Sequence, residues 1–131
     1  MSGFKTLADI RAIEAEATWQ ARGEARTIHD FLSRAGAAHG NRPAVTFQLE
    51  SSPTARSQTL TWSQLQCRVT QAANLFRSLG VGPRDVVAYI LPNALETVVT
   101  LLGGAVAGIV SPINPLLEPE HIAAILRETG A

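Results

Sequence analysis

Between Arg84 and Asn114 the chain reads RDVVAYILPNALETVVTLLGGAVAGIVSPIN, apolar runs cut by proline and glycine at intervals that suit a strand, a helix and a second strand. Val86 to Leu91 is apolar without polar alternation, as in a strand covered on both faces within a parallel sheet. Pro92 stops it. Asn93 offers an acceptor to the free N–H groups of the next turn, and Glu96 can reach back to it, so this stretch reads as a capping box opening a helix over Asn93 to Ala107. That helix is expected to turn Leu95, Val98, Val99, Leu101 and Leu102 toward the sheet. Gly103, Gly104 and Gly108 weaken the helical pattern, and the run Ile109 to Ile113, checked by Pro112, reads as a second strand. The product is a βαβ unit. Such crossovers are right-handed in about 98% of cases, which places two parallel strands beneath one helix.

The rest of the composition narrows the class. A chain of 131 residues with 46% hydrophobic and 17% charged residues has enough apolar material for one globular core. Its 11 basic and 11 acidic residues cancel, which leaves no global field to attract nucleic acid or anionic lipid. The single cysteine, Cys67, rules out an internal disulfide. The first residues do not form a basic-then-apolar leader, so a cytoplasmic location is expected. Thr97 to Leu117 is the longest uncharged run, but Gly103, Gly104, Gly108, Pro112 and Pro115 break it before a membrane-spanning helix of about 20 apolar residues could form. The Gly104-x-x-x-Gly108 spacing falls where a helix hands over to a strand and is not read as a transmembrane dimer face.

Taken in order, Thr6 and Asp9 stand in capping-box spacing before an amphipathic helix over Thr6 to about Arg22, with Leu7, Ile10, Ile13 and Ala17 near one face. Thr27 with Asp30 signals a second helix carrying Ile28, Phe31, Leu32 and Ala35 along one side, ended by the polar stretch from Gly36 to Pro43. Ala44 to Leu49 and Thr59 to Thr61 read as the strands of a hairpin around the loop ESSPTARSQ. Thr61 and Gln64 form the next capping box. From it Leu65, Val69, Ala72, Ala73, Phe76 and Leu79 recur at three- and four-residue steps over a long helix, which Gly80 ends in the left-handed conformation with Val81 beside it. Pro119 suits the first position of a last helix, with Glu118 and Glu120 near its positive end and Ile122, Ile125 and Leu126 inward; Gly130 closes it.

Chemistry-bearing residues are sparse. His29, His39 and His121 stand apart from one another and from cysteine or carboxylate at metal-ligand spacing, and each suits a surface or capping role. Cys67 lies off the apolar face of its helix, and the adjacent Arg68 does not face it. Gly80-x-Gly82 follows a helix and precedes a strand, the reverse of a dinucleotide fingerprint, so it reads as a turn. Glu14, Glu16, Arg22, Glu24 and Arg26 form a solvated face. No Walker loop, nucleophile elbow or H-E-x-x-H stretch is present. No residue is singled out as catalytic, cofactor-binding or metal-ligating.

Five short stretches nevertheless stand in a telling order: Thr61-Trp62-x-x-Leu65; Leu79-Gly80-Val81 with Asp85-Val86-Val87; Leu91-Pro92-Asn93 with Glu96; the Gly104 to Gly108 hand-over; and Pro112-Ile113-Asn114-Pro115. Over about Thr27 to the end, this order resembles the amino-terminal part of AMP-forming acyl-CoA synthetases, ligases of the superfamily that also holds luciferases and peptide-synthetase adenylation domains. The resemblance implies an α/β fold: βαβ units of a parallel sheet covered by helices, forming an incomplete amino-terminal part of the large domain of an adenylate-forming enzyme. Residues 1–26 would then be a helical extension and residues 27–131 the partial α/β region. For the complete enzyme it implies a small-molecule carboxylic or fatty acid, ATP, Mg and coenzyme A, with acyl-adenylate formed first and the thioester second. The family's Ser/Thr/Gly-rich phosphate loop, hinge and catalytic lysine lie beyond the part matched, so no catalytic residue is carried over. Because a buried strand follows the last helix in that family, the chain is expected to be a truncated piece, inert alone and prone to self-association through an exposed sheet edge. The alternatives are a stand-alone α/β module that binds a nucleotide or acyl group, and a protein that pairs through a sheet edge.

Overall fold

Threonine side chains start the first three helices, as expected from their spacing. In the computed structural model, which describes residues 6–18 and 20–131, the Thr6 hydroxyl accepts from the Asp9 amide at 3.2 Å, and the Asp9 carboxylate accepts from the Thr6 amide at 2.9 Å, opening α1 (Leu7–Glu16). Thr27 accepts from the Asp30 amide at 3.0 Å to open α2 (Ile28–His39). Thr61 and Gln64 close a reciprocal box, at 3.3 and 3.0 Å, before α3 (Trp62–Ser78). Each box satisfies amides that a helix start leaves without intrahelical partners.

The first helix is shorter than its periodicity implies. Ala17 is extended, and the Arg22 guanidinium turns back to the Ile13 carbonyl at 2.8 Å, taking up an acceptor of the last turn. No residue of α1 is buried, and a helix of this length gains its stability from packing rather than from propensity. The expected amino-terminal extension also includes residues 1–5 and 19, which lie outside the described residues. The second helix is longer than expected and runs through Gly36 to His39. Gly36 is buried against the Gln66 side chain, where a Cβ would collide with the Gln66 amide. Glycine there serves a close helix crossing, not a stop. Ile28 and Phe31 are exposed, against expectation, and Leu32 is the inward residue; Phe31 instead meets Trp62 edge-on, with ring centroids 6.2 Å apart.

A hairpin of β1 (Pro43–Gln48) and β2 (Ser57–Thr61) pairs antiparallel, Val45 opposite Leu60 and Gln48 opposite Ser57. A second, parallel pair is formed by β3 (Val86–Tyr89) and β4 (Ile109–Pro112), Val86 opposite Ile109 and Tyr89 opposite Pro112, with α4 (Leu95–Ala107) between them in sequence. The expected βαβ unit is therefore present, and α5 (Pro119–Thr129) follows it, closed by Gly130 in the left-handed conformation. Among the described residues there are two sheets of two strands each, and one βαβ unit rather than several.

Two expectations about α4 need correction. Its N-cap is Ala94, which makes no side-chain capping bond; Asn93 stands one residue too early to close a capping box with Glu96. Thr97 instead turns its hydroxyl back to the Pro92 carbonyl. The second correction concerns direction. Leu95 is buried with Leu32, Leu60, Leu65 and Val69, and Val98, Val99 and Leu102 pack against that same cluster, so these side chains point to α2, α3 and the hairpin, while Leu101 is exposed. The sheet side of α4 carries Gly104, whose absent Cβ leaves room for Val110 and Val87. The helix lies on the parallel strands through its slimmest face and presents its bulky face to the other helices. On the α3 side, Gly103 lies so close to Ala72 that a Cβ would come within 2.7 Å of the alanine methyl.

The end of α3 follows the sequence reading closely. Gly80 (φ +95°) donates to Arg77 O at 3.0 Å and Val81 donates to Phe76 O at 3.1 Å, the paired bonds of a Schellman cap. Arg77 also donates to the Val106 carbonyl at 3.1 Å, tying the last turn of α3 to that of α4. Leu79, expected inward, is exposed.

Candidate functional site

In open α/β sheets ligands collect outside the carboxyl ends of the strands, so the end of the β3–β4 pair is the first place to look. Pro92 ends the run from β3 and leads through Asn93 and Ala94 into α4; Pro112 ends β4, and Ile113, buried, donates to Tyr89 O at 2.9 Å as the last rung of the ladder. Asn114 then folds the chain back: its side-chain oxygen accepts from the Leu116 amide at 3.0 Å and its carbonyl from the Leu117 amide at 3.2 Å. These turns place Asn93, Thr97 and Asn114 at or near one end of the βαβ unit, beside the start of α4. A depression of about 210 Å³ opens between this turn and the hairpin, lined by Val45, Thr46, Phe47, Asn93, Ala94, Thr97 and Val98.

The polar groups lining this depression are neutral. The Thr46 hydroxyl is engaged with Thr59 at 2.9 Å, and the Thr97 hydroxyl with Pro92 O. Glu96 adds the one carboxylate of the first helical turn, where it complements the positive end of the helix. Such a lining can hydrogen-bond or sterically frame a ligand. It supplies neither a base paired with a nucleophile nor a cation beside a developing negative charge.

The other candidates lie elsewhere. His29 is in the first turn of α2, His39 at its last residue and His121 in the first turn of α5, and all three are exposed. Cys67 is an exposed thiol on α3. The described residues contain no group of three or more His, Cys, Asp or Glu able to hold a metal ion, and no buried polar or charged side chain. Arg34 pairs with Asp30 at 2.8 Å on the surface of α2, an exposed contact that contributes little. The donor set among the described residues does not fit a magnesium–nucleotide complex. Gly82 lies in the turn expected of it, its amide donating to the Asp85 carboxylate at 2.7 Å. Sequence reasoning missed the tightness at Gly108, where a Cβ would stand 2.5 Å from Asp85 O and 2.6 Å from Gly82 O; glycine density alone carries no sign of which backbone comes near. Among the described residues no helix is long and apolar enough to cross a membrane.

Residues 32–131 match the family model described as AMP-binding enzyme. A marinolic acid–CoA ligase from Pseudoalteromonas sp. (strain SANK 73390) is 33% identical over 129 residues, covering 95% of this chain and 19% of that protein. A long-chain-fatty-acid–AMP ligase of Mycobacterium marinum is 33% identical over 111 residues, covering 79% of this chain and 18% of that protein. The chain thus spans about a fifth of the length of these curated relatives. In shape it is similar to the N-terminal subdomain of Klebsiella oxytoca NpsA, with a TM-score of 0.69 at 17% identity, covering 82% of this chain and 26% of that one.

Proposed function

The chain belongs to the AMP-binding enzyme family, and from that membership we propose that it forms the amino-terminal framework of an acid–thiol ligase. In the whole enzyme, ATP and magnesium would activate a carboxylic or fatty acid as its acyl-adenylate, and coenzyme A would then displace AMP to give the thioester. The observation that carries this reading is the 33% identity to an acid–CoA ligase along almost the whole chain. The part assigned to these residues is architectural. Residues 27–131 supply the hairpin and a βαβ unit with its helix cover, residues 1–26 supply an extension, and the location is cytoplasmic.

Framework without chemistry is what the side chains support. The strand ends present asparagine and threonine rather than lysine, arginine or a carboxylate pair, so these residues would position backbone and exclude water while other segments handle the phosphates. The purified 131-residue chain should therefore release no pyrophosphate from ATP with any fatty or aromatic acid above a chain-free control, and calorimetry should detect no saturable ATP binding. Acid-dependent pyrophosphate release that survives removal of host ligases would overturn the assignment. Saturable binding of ATP or acyl-CoA without turnover would favour a stand-alone binding module instead.

A further inference from the structure

Two arginines hold the amino-terminal extension, one from within it and one from α2. Arg22 turns back on the end of α1, donating to Ile13 O at 2.8 Å and to Ala17 O at 3.4 Å. The Arg22 amide donates to Thr18 O at 3.1 Å and the Gly23 amide to Gln20 O at 3.2 Å, which closes the turn after the helix. Gly23 takes the left-handed conformation there (φ +66°), with nothing within 4 Å of its missing Cβ. The helix and its turn are thus one locally bonded unit. Arg34 supplies the second hold. Its Nε donates to Asp30 Oδ1 at 2.9 Å and its Nη2 meets Asp30 Oδ2 at 2.8 Å, a two-pronged grip that fixes the plane of the guanidinium. The remaining nitrogen, Nη1, donates to Gly23 O. Among the described residues this is the one hydrogen bond that joins residues 6–23 to the elements after them. No residue of α1 is buried, so little apolar packing backs that bond.

We propose that Arg34 is a latch and residues 6–23 a releasable strap, which swings as one unit about residues 24–26. Those three residues belong to no helix or strand. Glu24 and Ala25 form one wall of a depression of about 400 Å³ whose other wall includes Phe31, Arg34 and Trp62. The latched strap holds its wall against the aromatic pair, and release opens the depression. The Arg34–Asp30 pair is exposed and adds little to global stability; its effect is to aim the third donor at Gly23 and so to set how often the strap is free. Every bond of the latch lies within residues 13–34, so no other segment is needed to form it.

Limited trypsin digestion of the 131-residue chain, mapped by mass spectrometry, reads the latch through the rate of cleavage after Arg22, which requires the turn to open locally. Each rate is divided by that of the same variant unfolded in urea, which removes the sequence preference of the protease. Arg34→Gln takes away the charged donor and should raise the normalised rate by about tenfold or more, with the urea midpoint unchanged. Arg34→Lys should open the strap too, because an ammonium cannot grip Asp30 with two prongs while reaching Gly23. Gly23→Ala acts on the other partner: it disfavours the left-handed turn without a steric clash and should raise the rate by about tenfold. In the double variant the combined gain should fall short of the product of the two, since both break one bond. Parental cleavage in Arg34→Gln, a gain matched by a fall in the urea midpoint, full retention of the latch in Arg34→Lys, or strictly multiplicative effects would each overturn the proposal.

Discussion

Replacing Gly108 by alanine tests the packing of the βαβ unit at its tightest point. The new Cβ would stand 2.5 Å from Asp85 O, 2.6 Å from Gly82 O and 3.2 Å from a Val81 methyl. Ordinary carbon–oxygen contacts begin near about 3.3 Å, so both carbonyls are too close by about 0.7 Å. Neither oxygen is the free end of a side chain, so the backbone must move. Asp85 O is also the acceptor for the Ile109 amide at 2.9 Å, the first rung joining β3 to β4, and Gly108 itself donates to Gly104 O at 2.8 Å. Overpacking costs about 1–3 kcal/mol and a lost backbone bond about 1 kcal/mol more, which gives about 2–4 kcal/mol for Gly108→Ala. Against a typical total of about 5–15 kcal/mol, that is a large share. At about 3–5 °C per kcal/mol for a chain of this size, the midpoint should fall by about 6–20 °C. Gly80→Ala is the matched control. Gly80 has φ +95° but nothing within 4 Å of its missing Cβ, so only backbone strain of about 1–2 kcal/mol is added. Urea unfolding followed by circular dichroism should rank the parent above Gly80→Ala and Gly80→Ala above Gly108→Ala, with unchanged m-values. A Gly108→Ala chain within about 0.5 kcal/mol of the parent, or more stable than Gly80→Ala, would refute the close approach described.

Two further substitutions probe α4. Asn93→Ala should change stability by less than about 0.5 kcal/mol, whereas Ala94→Ser should add about 1 kcal/mol by supplying the missing cap; thermal melts of both variants decide the N-cap position, and a larger loss at Asn93 would return the cap to it. Gly103→Ala alone should destabilise through its contact with the Ala72 methyl, and Ala72→Gly in the same chain should relieve it, leaving a coupling of about 1 kcal/mol or more in a double-mutant cycle. Strict additivity would show that α3 and α4 do not meet there.

What could be read from the residues was what is decided locally. Thr61 and Gln64 make their box within four residues, Gly80 ends a helix by its own backbone freedom, and Pro119 begins one, so all three were legible. The parallel pairing of the run from Val86 with the run from Ile109 was legible too, though not its register, because two buried-strand runs flanking one helix leave little other topology. The start of α4 was missed by a single residue, since Pro92, Asn93 and Ala94 all tolerate extended backbone and only the surrounding packing selects where helical geometry begins. The facing of α4 was misread for a different reason. Its apolar residues occupy more than one face, and only the placement of Gly103 against Ala72 and Gly104 against Val110 tells which face meets which neighbour. The depression beside the hairpin was not legible, because the grouping of Thr97 with Pro92 and of Asn114 with Leu116 depends on turns that side-chain chemistry alone does not define.

Among the described residues no strand is shared between the two sheets, which bears on how quickly the chain finds its structure. Each ladder is closed by residues close in sequence: the hairpin around the loop after Gln48, and the parallel pair around a single helix. Loop-closure entropy grows only logarithmically with the number of residues enclosed, so neither closure requires a distant segment to be captured first. The joining of the two halves falls to helix contacts, through Leu65 and Val69 of α3 against Leu95 of α4 and through the Arg77 bond to Val106 O. Such a topology suits rapid formation of each half, with the docking of α3 on α4 as the event that makes them one cooperative unit.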